Sequence, residues 1–212
     1  MKLRTEPYHL QKARWPTDGR HILAQFDNER VVIYQAFRPE ISCFAVARGY
    51  FGDGFSMNRM SWIKPNFLWM MYRCGWAAKP GQETVLAVTL HRLAFDEILS
   101  TAVHSSFQPG IYESKDQWER SVCGSEVRLQ WDPDHEPCGR PTVRRAIQLG
   151  LRGSTLARYA REWICDIEDV SDFVLEQKAR FDAGGSSALL TPREEIYPVA
   201  DESTRRALGI DA

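Results

Sequence analysis

The run Thr84-Val85-Leu86-Ala87-Val88-Thr89-Leu90 sets the first limit on how this chain folds. It is continuous, mostly apolar and β-branched, and the turn-forming Lys79-Pro80-Gly81-Gln82 precedes it. A strand without polar alternation is covered on both faces. The rest of the chain must therefore supply two layers of cover. With 212 residues, 43% of them apolar, it has the material to do so within one domain.

The other elements follow from local signals. Val31-Val32-Ile33-Tyr34 is a second strand, entered from the turn at Asp27-Asn28-Glu29-Arg30. Pro39 occupies a first helical position with Glu40 behind it, and Gly49 closes that helix. Met60-Ser61-Trp62-Ile63 predicts a short strand, after which Pro65 opens a second helix. The large apolar side chains from Phe67 to Arg73 predict that this helix is buried nearly all round. Leu93 to Leu99 predicts a helix. Val127 to Trp131 and Ala146 to Leu151 predict strands, with a loop at 132–137. Ser154 is expected to cap a further helix, and Val170 to Phe181 forms the last one before Gly184-Gly185. These elements lack a regular βαβ alternation. The expected class is α+β: a single domain with a mixed or antiparallel sheet and flanking helices. It divides into an N-terminal extension (1–16), the domain (17–185) and a C-terminal tail (186–212) that packs, loosely, on the domain.

Charge and cysteine content narrow the function classes. The 27 basic and 28 acidic side chains nearly cancel, so a global electrostatic grip on nucleic acid is not indicated, a balance that leaves room for a local basic patch. The longest apolar stretch, Phe67 to Tyr72, falls far short of the roughly 20 residues that span a bilayer. Met1 to Glu6 lacks the apolar core of a leader. The five cysteines are odd in number and form no Cys-x-x-Cys pair. The expectation is a soluble cytoplasmic protein with reduced thiols and no membrane partner. His135 and Cys138 offer two metal ligands without a second pair. Asp166, Glu168 and Asp169 read as a solvated acidic face, so no metal is expected.

Two segments share a pattern of short strand, polar or basic residue, proline and helix start: Tyr34-Gln35-Ala36-Phe37-Arg38-Pro39 and Trp62-Ile63-Lys64-Pro65. Helix starts carry partial positive charge and free N–H groups. A cation placed there implies either an incoming phosphate or carboxylate, or pairing with a neighbouring acid. Trp62 and Lys64, two apart on a strand, point to one face and can reach one ligand. Trp62, Trp69, Tyr72 and Trp76 offer aromatic faces for stacking, or for the core. Gln35 and Gln148 lie in apolar strands, and each needs partners from backbone or ligand.

The strings Val32 to Ile41, Met60 to Arg73, Ile147 to Gly153 and Trp163 to Val170 closely resemble a widespread microbial family catalogued only as domain of unknown function 4291, over roughly residues 17 to 200. That resemblance implies no assigned activity. The order of elements also resembles the ADP-ribosyltransferase superfamily, in which a first strand motif grips NAD ribose, a second supplies an aromatic platform and a third brings a glutamate. This implies a cleft for NAD or a related nucleotide. Tyr34, Gln35 and Arg38 would hold ribose or phosphate, Trp62 would stack the ring, and Lys64 would meet phosphate. Gln148 would stand at the catalytic position and orient the ribose, and RNA or protein would be the acceptor. Gln148 departs from the pattern, since an amide cannot supply the glutamate's charge. The alternative is a non-enzymatic module that binds RNA or protein through the same surface.

Overall fold

The computed structural model describes residues 1–211. In chain order its elements are β1 (Thr5–Pro7), α1 (Tyr8–Lys12), β2 (Leu23–Ala24), β3 (Arg30–Phe37), α2 (Pro39–Arg48), β4 (Ser61–Ile63), α3 (Phe67–Cys74), β5 (Thr84–His91), α4 (Arg92–Ser100), β6 (Ala102–His104), α5 (Lys115–Gly124), β7 (Val127–His135), β8 (Pro141–Leu151), α6 (Gly153–Arg161), β9 (Ile164–Asp169), α7 (Ser171–Gly184), β10 (Leu190–Pro192), β11 (Glu195–Ile196) and α8 (Glu202–Leu208). The class is α+β.

Two sheets dominate. One is antiparallel with order β3-β5-β9. The other has order β4-β8-β7-β6, antiparallel except for the β6–β7 pair. As the apolar run demands, β5 is covered on both faces. Leu86, Val88 and Leu90 enter one core with Val31, Ile33, Phe95 and Tyr159, while Val85 and Ala87 enter a second with Val32, Tyr34, Phe67 and Met71. The alternation of a pleated strand thus splits one sequence run between two cores.

The sheets meet where β3 runs beside β4. Tyr34 and Lys64 form an antiparallel bridge, with the Tyr34 N–H on the Lys64 carbonyl at 2.7 Å and the Lys64 N–H on the Tyr34 carbonyl at 3.3 Å. The three strands carrying the sequence motifs, β3, β4 and β8, are therefore neighbours.

The chain ends are part of the fold. Strand β1 pairs with β10, and β11 with β2. The tail packs on the domain, and more tightly than its composition suggests, burying Leu189, Thr191, Glu194, Tyr197 and Leu208. The N-terminal segment likewise buries Tyr8, Gln11 and Trp15. The loop expected at 132–137 is mostly strand, because β7 runs on to His135 with a register shift near Pro133. Ser154 is not a cap. It lies in the first turn of α6, where its N–H and hydroxyl both donate to the Glu126 carboxylate.

Candidate functional site

Helix α2 begins as its sequence implies. Arg38 is the extended N-cap residue, Pro39 follows, and Gly49 closes the helix in the left-handed conformation at φ 73°. Helix α3 does not begin at Pro65. Asn66 caps it, its Oδ1 accepting from the Trp69 N–H at 2.7 Å, and Phe67 is the first helical residue. The remaining anion-binding capacity of that helix start is taken by the protein's own carboxylate. Glu194 accepts from the Phe67 N–H at 2.6 Å and from Asn66 Nδ2 at 3.0 Å. Lys64 therefore belongs to the sheet junction rather than to a helix terminus.

A cleft of about 480 Å³ opens between the end of β3, strand β4, helix α3 and the glycine-containing loop after α2. Four cationic side chains line it, Arg38, Arg59, Lys64 and Arg73, and no aspartate or glutamate does. Arg38 is exposed and lies 3.7 Å from the equally exposed Glu40, a weak pair. Among the described residues, Arg59, Lys64 and Arg73 have no carboxylate within 4.0 Å.

Lys64 is only 6% exposed, and its Nζ donates to the Trp62 carbonyl at 3.3 Å. Burial, and then the nearby Arg73 charge, lower its amine to about 7, although Asp132 and Cys74 pull the other way. A lysine in this setting exchanges between ammonium and free amine near neutrality. Trp62 stands half-buried across from Gly150, in register on β8. A Cβ on Gly150 would sit 2.4 Å from Met60 Sδ and 3.0 Å from Trp62 Cε2, so the absence of a side chain there makes room for both.

Of the residues singled out by sequence, Gln35, Arg38, Trp62 and Lys64 line this one cleft. Gln35 does so as a structural strut. Its Oε1 accepts from the Tyr159 hydroxyl at 2.6 Å, and its Nε2 donates to Ser61 Oγ at 2.9 Å and the Trp62 carbonyl at 3.1 Å. Both of its N–H donors are used. Tyr34 is a correction: strand alternation turns it into the second core, fully buried and edge-on to Phe67 at 5.5 Å, and it does not reach the cleft.

Gln148 also falls outside the lining. Its Nε2 donates to Asp132 Oδ2 at 2.6 Å and Gln130 Oε1 at 3.3 Å, while Gln130 Nε2 donates to Asp132 Oδ1 at 3.1 Å. Two amides thus clasp one carboxylate on the β7–β8 face. Burial raises the Asp132 carboxyl, against the pull of Gln148, Arg73, Lys64 and Arg145.

The remaining candidates have structural explanations. His135 stacks on Tyr72 with ring centroids 3.5 Å apart and on Trp69 at 5.2 Å. Asp169 caps the turn into α7, accepting from the Ser171 N–H at 2.9 Å. Among the described residues no His, Cys, Asp and Glu cluster could hold a metal ion, and no helix is long and apolar enough to cross a membrane. All five cysteines are unpaired thiols. Sequence reasoning missed Arg59 and Arg73. Arg73 carries a readable signal, as one of two exposed positions on the otherwise buried helix α3. Arg59 lies in an irregular loop, where no periodicity marks it.

No curated protein matches this chain in sequence. A family model does match, over residues 21–197, and by that match the chain belongs to the family described as Domain of unknown function (DUF4291).

Proposed function

We propose that the cleft binds a phosphate-bearing nucleotide of the NAD type, and that the domain is ADP-ribosyltransferase-like. The observation that carries this reading is the charge of the cleft: four cationic side chains against no acidic one, on a chain whose net charge is -1. Cations that lack carboxylate partners favour an anionic ligand, and guanidinium groups suit phosphate in particular. Arg38, Arg59 and Arg73 hold the phosphates, and Trp62 stacks the base or nicotinamide ring. Lys64 lines the same cleft and is nearly removed from solvent. The adjacency of β3, β4 and β8 is consistent with the three-motif order of that superfamily.

A second reading, a module that binds an RNA end or a protein, is favoured by one observation: no carboxylate lines the cleft itself. Glu126 cannot supply one, because both its oxygens are committed to Ser154 and Thr155 at the start of α6. A concave site with a buried lysine in its wall suits a small ligand better than a broad surface does. Thermal shift against NAD, ADP-ribose, ADP, adenosine and short RNAs separates the readings. NAD, ADP-ribose and ADP should stabilise the protein where adenosine does not, by about 2.7 kcal/mol at a hundredfold excess over Kd. Equal shifts with adenosine and ADP would remove the phosphate from the proposal. A response to RNA alone would select the binding module.

A further inference from the structure

We propose that Lys64 is a nucleophilic amine, and that the cleft takes a phosphate-bearing aldose or aldehyde whose carbonyl carbon condenses with the Lys64 Nζ. This deepens the anion-binding reading of the cleft and rests on it. Three observations place the chemistry. Lys64 lines the cleft, yet it is 94% removed from solvent by the residue exposure of 6%. Its Nζ has one hydrogen-bond acceptor, the Trp62 carbonyl at 3.3 Å, where an ammonium would use three. No carboxylate within 4.0 Å holds it as an ion pair, whereas Arg73 shares the cleft and opposes its charge. A lysine desolvated beside another cation is the setting in which the free amine, with its lone pair available, serves as a nucleophile toward carbonyl carbon.

The main chain that carries the amine is fixed, and the amine itself rests on the Trp62 carbonyl. The Tyr34–Lys64 bridge locks the main chain of Lys64 to β3. Arg38, Arg59 and Arg73 line the same cleft, so a phosphate held there brings the ligand into the cleft that Lys64 lines. The step balances without any further reactant. The Nζ lone pair forms a bond to the carbonyl carbon and the carbonyl π bond opens onto oxygen. Both protons of the amine leave with that oxygen as water, giving an imine. Hydrolysis reverses the step.

The test uses pyridoxal 5′-phosphate, an aldehyde that carries a phosphate, with pyridoxal as its phosphate-free counterpart. The whole protein is incubated with each at neutral pH, reduced with borohydride and mapped by peptide mass. The chain's six lysines provide internal controls, among them Lys115, whose side chain is 70% exposed. Reduced adduct should form at Lys64 at least about tenfold faster than at Lys115 despite the difference in exposure. Pyridoxal should label it far more slowly, inorganic pyrophosphate should protect it, and Lys64→Met should abolish the fast adduct. Labelling that follows exposure, with Lys64 the slowest, would overturn the proposal. So would saturable binding of pyridoxal 5′-phosphate, seen as a thermal shift, with Lys64 unmodified. That outcome removes the nucleophile and leaves the anion cleft standing. Equal labelling of Lys64 by pyridoxal and its phosphate would overturn the requirement for phosphate, and with it the reading of the cleft.

Discussion

Tyr34 and Lys64 exchange both backbone hydrogen bonds, at 2.7 and 3.3 Å, and this bridge ties β3 to the residue that follows β4. The lysine side chain is thereby held in a nearly closed site that lowers its amine from an ordinary 10.5 to about 7. The charged and titratable groups acting on it are Arg73, Asp132 and Cys74. Between those two values the unfolded chain binds a proton that the folded chain does not, so stability rises with pH across that window. Below about 7 the buried ammonium costs its full amount. Lys64→Met removes this term. We expect the variant to be more stable than the parent at pH 7 by on the order of a few kcal/mol, with the gap closing toward pH 10. Urea melts of both proteins at pH 7 and 9.5 measure it, and parallel pH profiles would contradict it.

Gly150 tests the aromatic wall of the cleft. An added methyl group would meet Met60 Sδ at 2.4 Å, Met60 Cγ at 2.9 Å and Trp62 Cε2 at 3.0 Å. The thioether can swing away more easily than the indole. Gly150→Ala should cost about 1–3 kcal/mol through overpacking and should shift Trp62. A near-UV circular dichroism spectrum and a denaturant midpoint identical to those of the parent would show that the contact yields freely.

Much of this architecture is legible in the sequence, and the parts that are not share a cause. The two-faced strand β5, the helix from Pro39 to Gly49 and the buried helix α3 follow from local composition. The true start of α3 does not, because the carboxylate that completes it comes from Glu194, 128 residues beyond Asn66. The chain ends read as irregular for the same reason: Thr5 pairs with Pro192, and neither short strand has a pattern of its own. Trp62 and Lys64 are legible as partners in one site because strand spacing is local. The inward turn of Tyr34 has the same origin, since a residue adjacent to Gln35 on a strand must face the other way. Only the third dimension brings Arg59 and Arg73 to the same cleft.

The turn after α3 holds Gly75, Trp76 and Ala77 all at positive φ, at 60°, 55° and 65°. Glycine adopts this region without strain, whereas a side chain costs roughly 1–2 kcal/mol there. Trp76 offsets its strain by burying its ring edge-on to Phe67. Ala77 has no comparable anchor. Ala77→Gly should therefore stabilise the protein by about 1 kcal/mol after the entropy of the more flexible unfolded chain is subtracted. Thermal or urea melts decide it, and a loss of stability would mean that the alanine methyl packs better than its backbone suffers.

The anchoring of α6 should give an acid-sensitive contribution. Glu126 accepts hydrogen bonds from the Ser154 hydroxyl and from the N–H groups of Ser154 and Thr155, and these hold its carboxyl down to about 2. A folded value below the ordinary 4.5 means that the stabilisation is present above that pH and is lost as pH falls toward 2. Glu126→Gln should lose about 1 kcal/mol at pH 7, as for a removed helix cap, and much less at pH 3. A constant difference at both pH values would assign the effect to packing instead.

Anion binding in the cleft should take up a proton. A phosphate that reaches Lys64, as in ADP, favours the ammonium over the amine and raises the bound-state value above the free value of about 7, whereas an aldehyde ligand must keep its phosphate on the arginines for the amine to stay free. At pH 8 most of the free protein carries the neutral amine, so loading the cleft with ADP should draw close to one proton from the buffer. Calorimetric titrations in two buffers of different ionisation enthalpy read that number directly. The uptake should shrink toward pH 6, where the ammonium is already formed, and should vanish in Lys64→Met. Arg73→Ala acts differently. It removes a fixed charge, so binding should weaken by about tenfold or more, since a charge-assisted contact contributes about 1.5–3 kcal/mol. Without the opposing guanidinium, the free Lys64 value should also rise, and the uptake at pH 8 should fall. ADP binding at pH 8 with no proton uptake in the parent protein would place the phosphates away from Lys64, on the outer arginines alone.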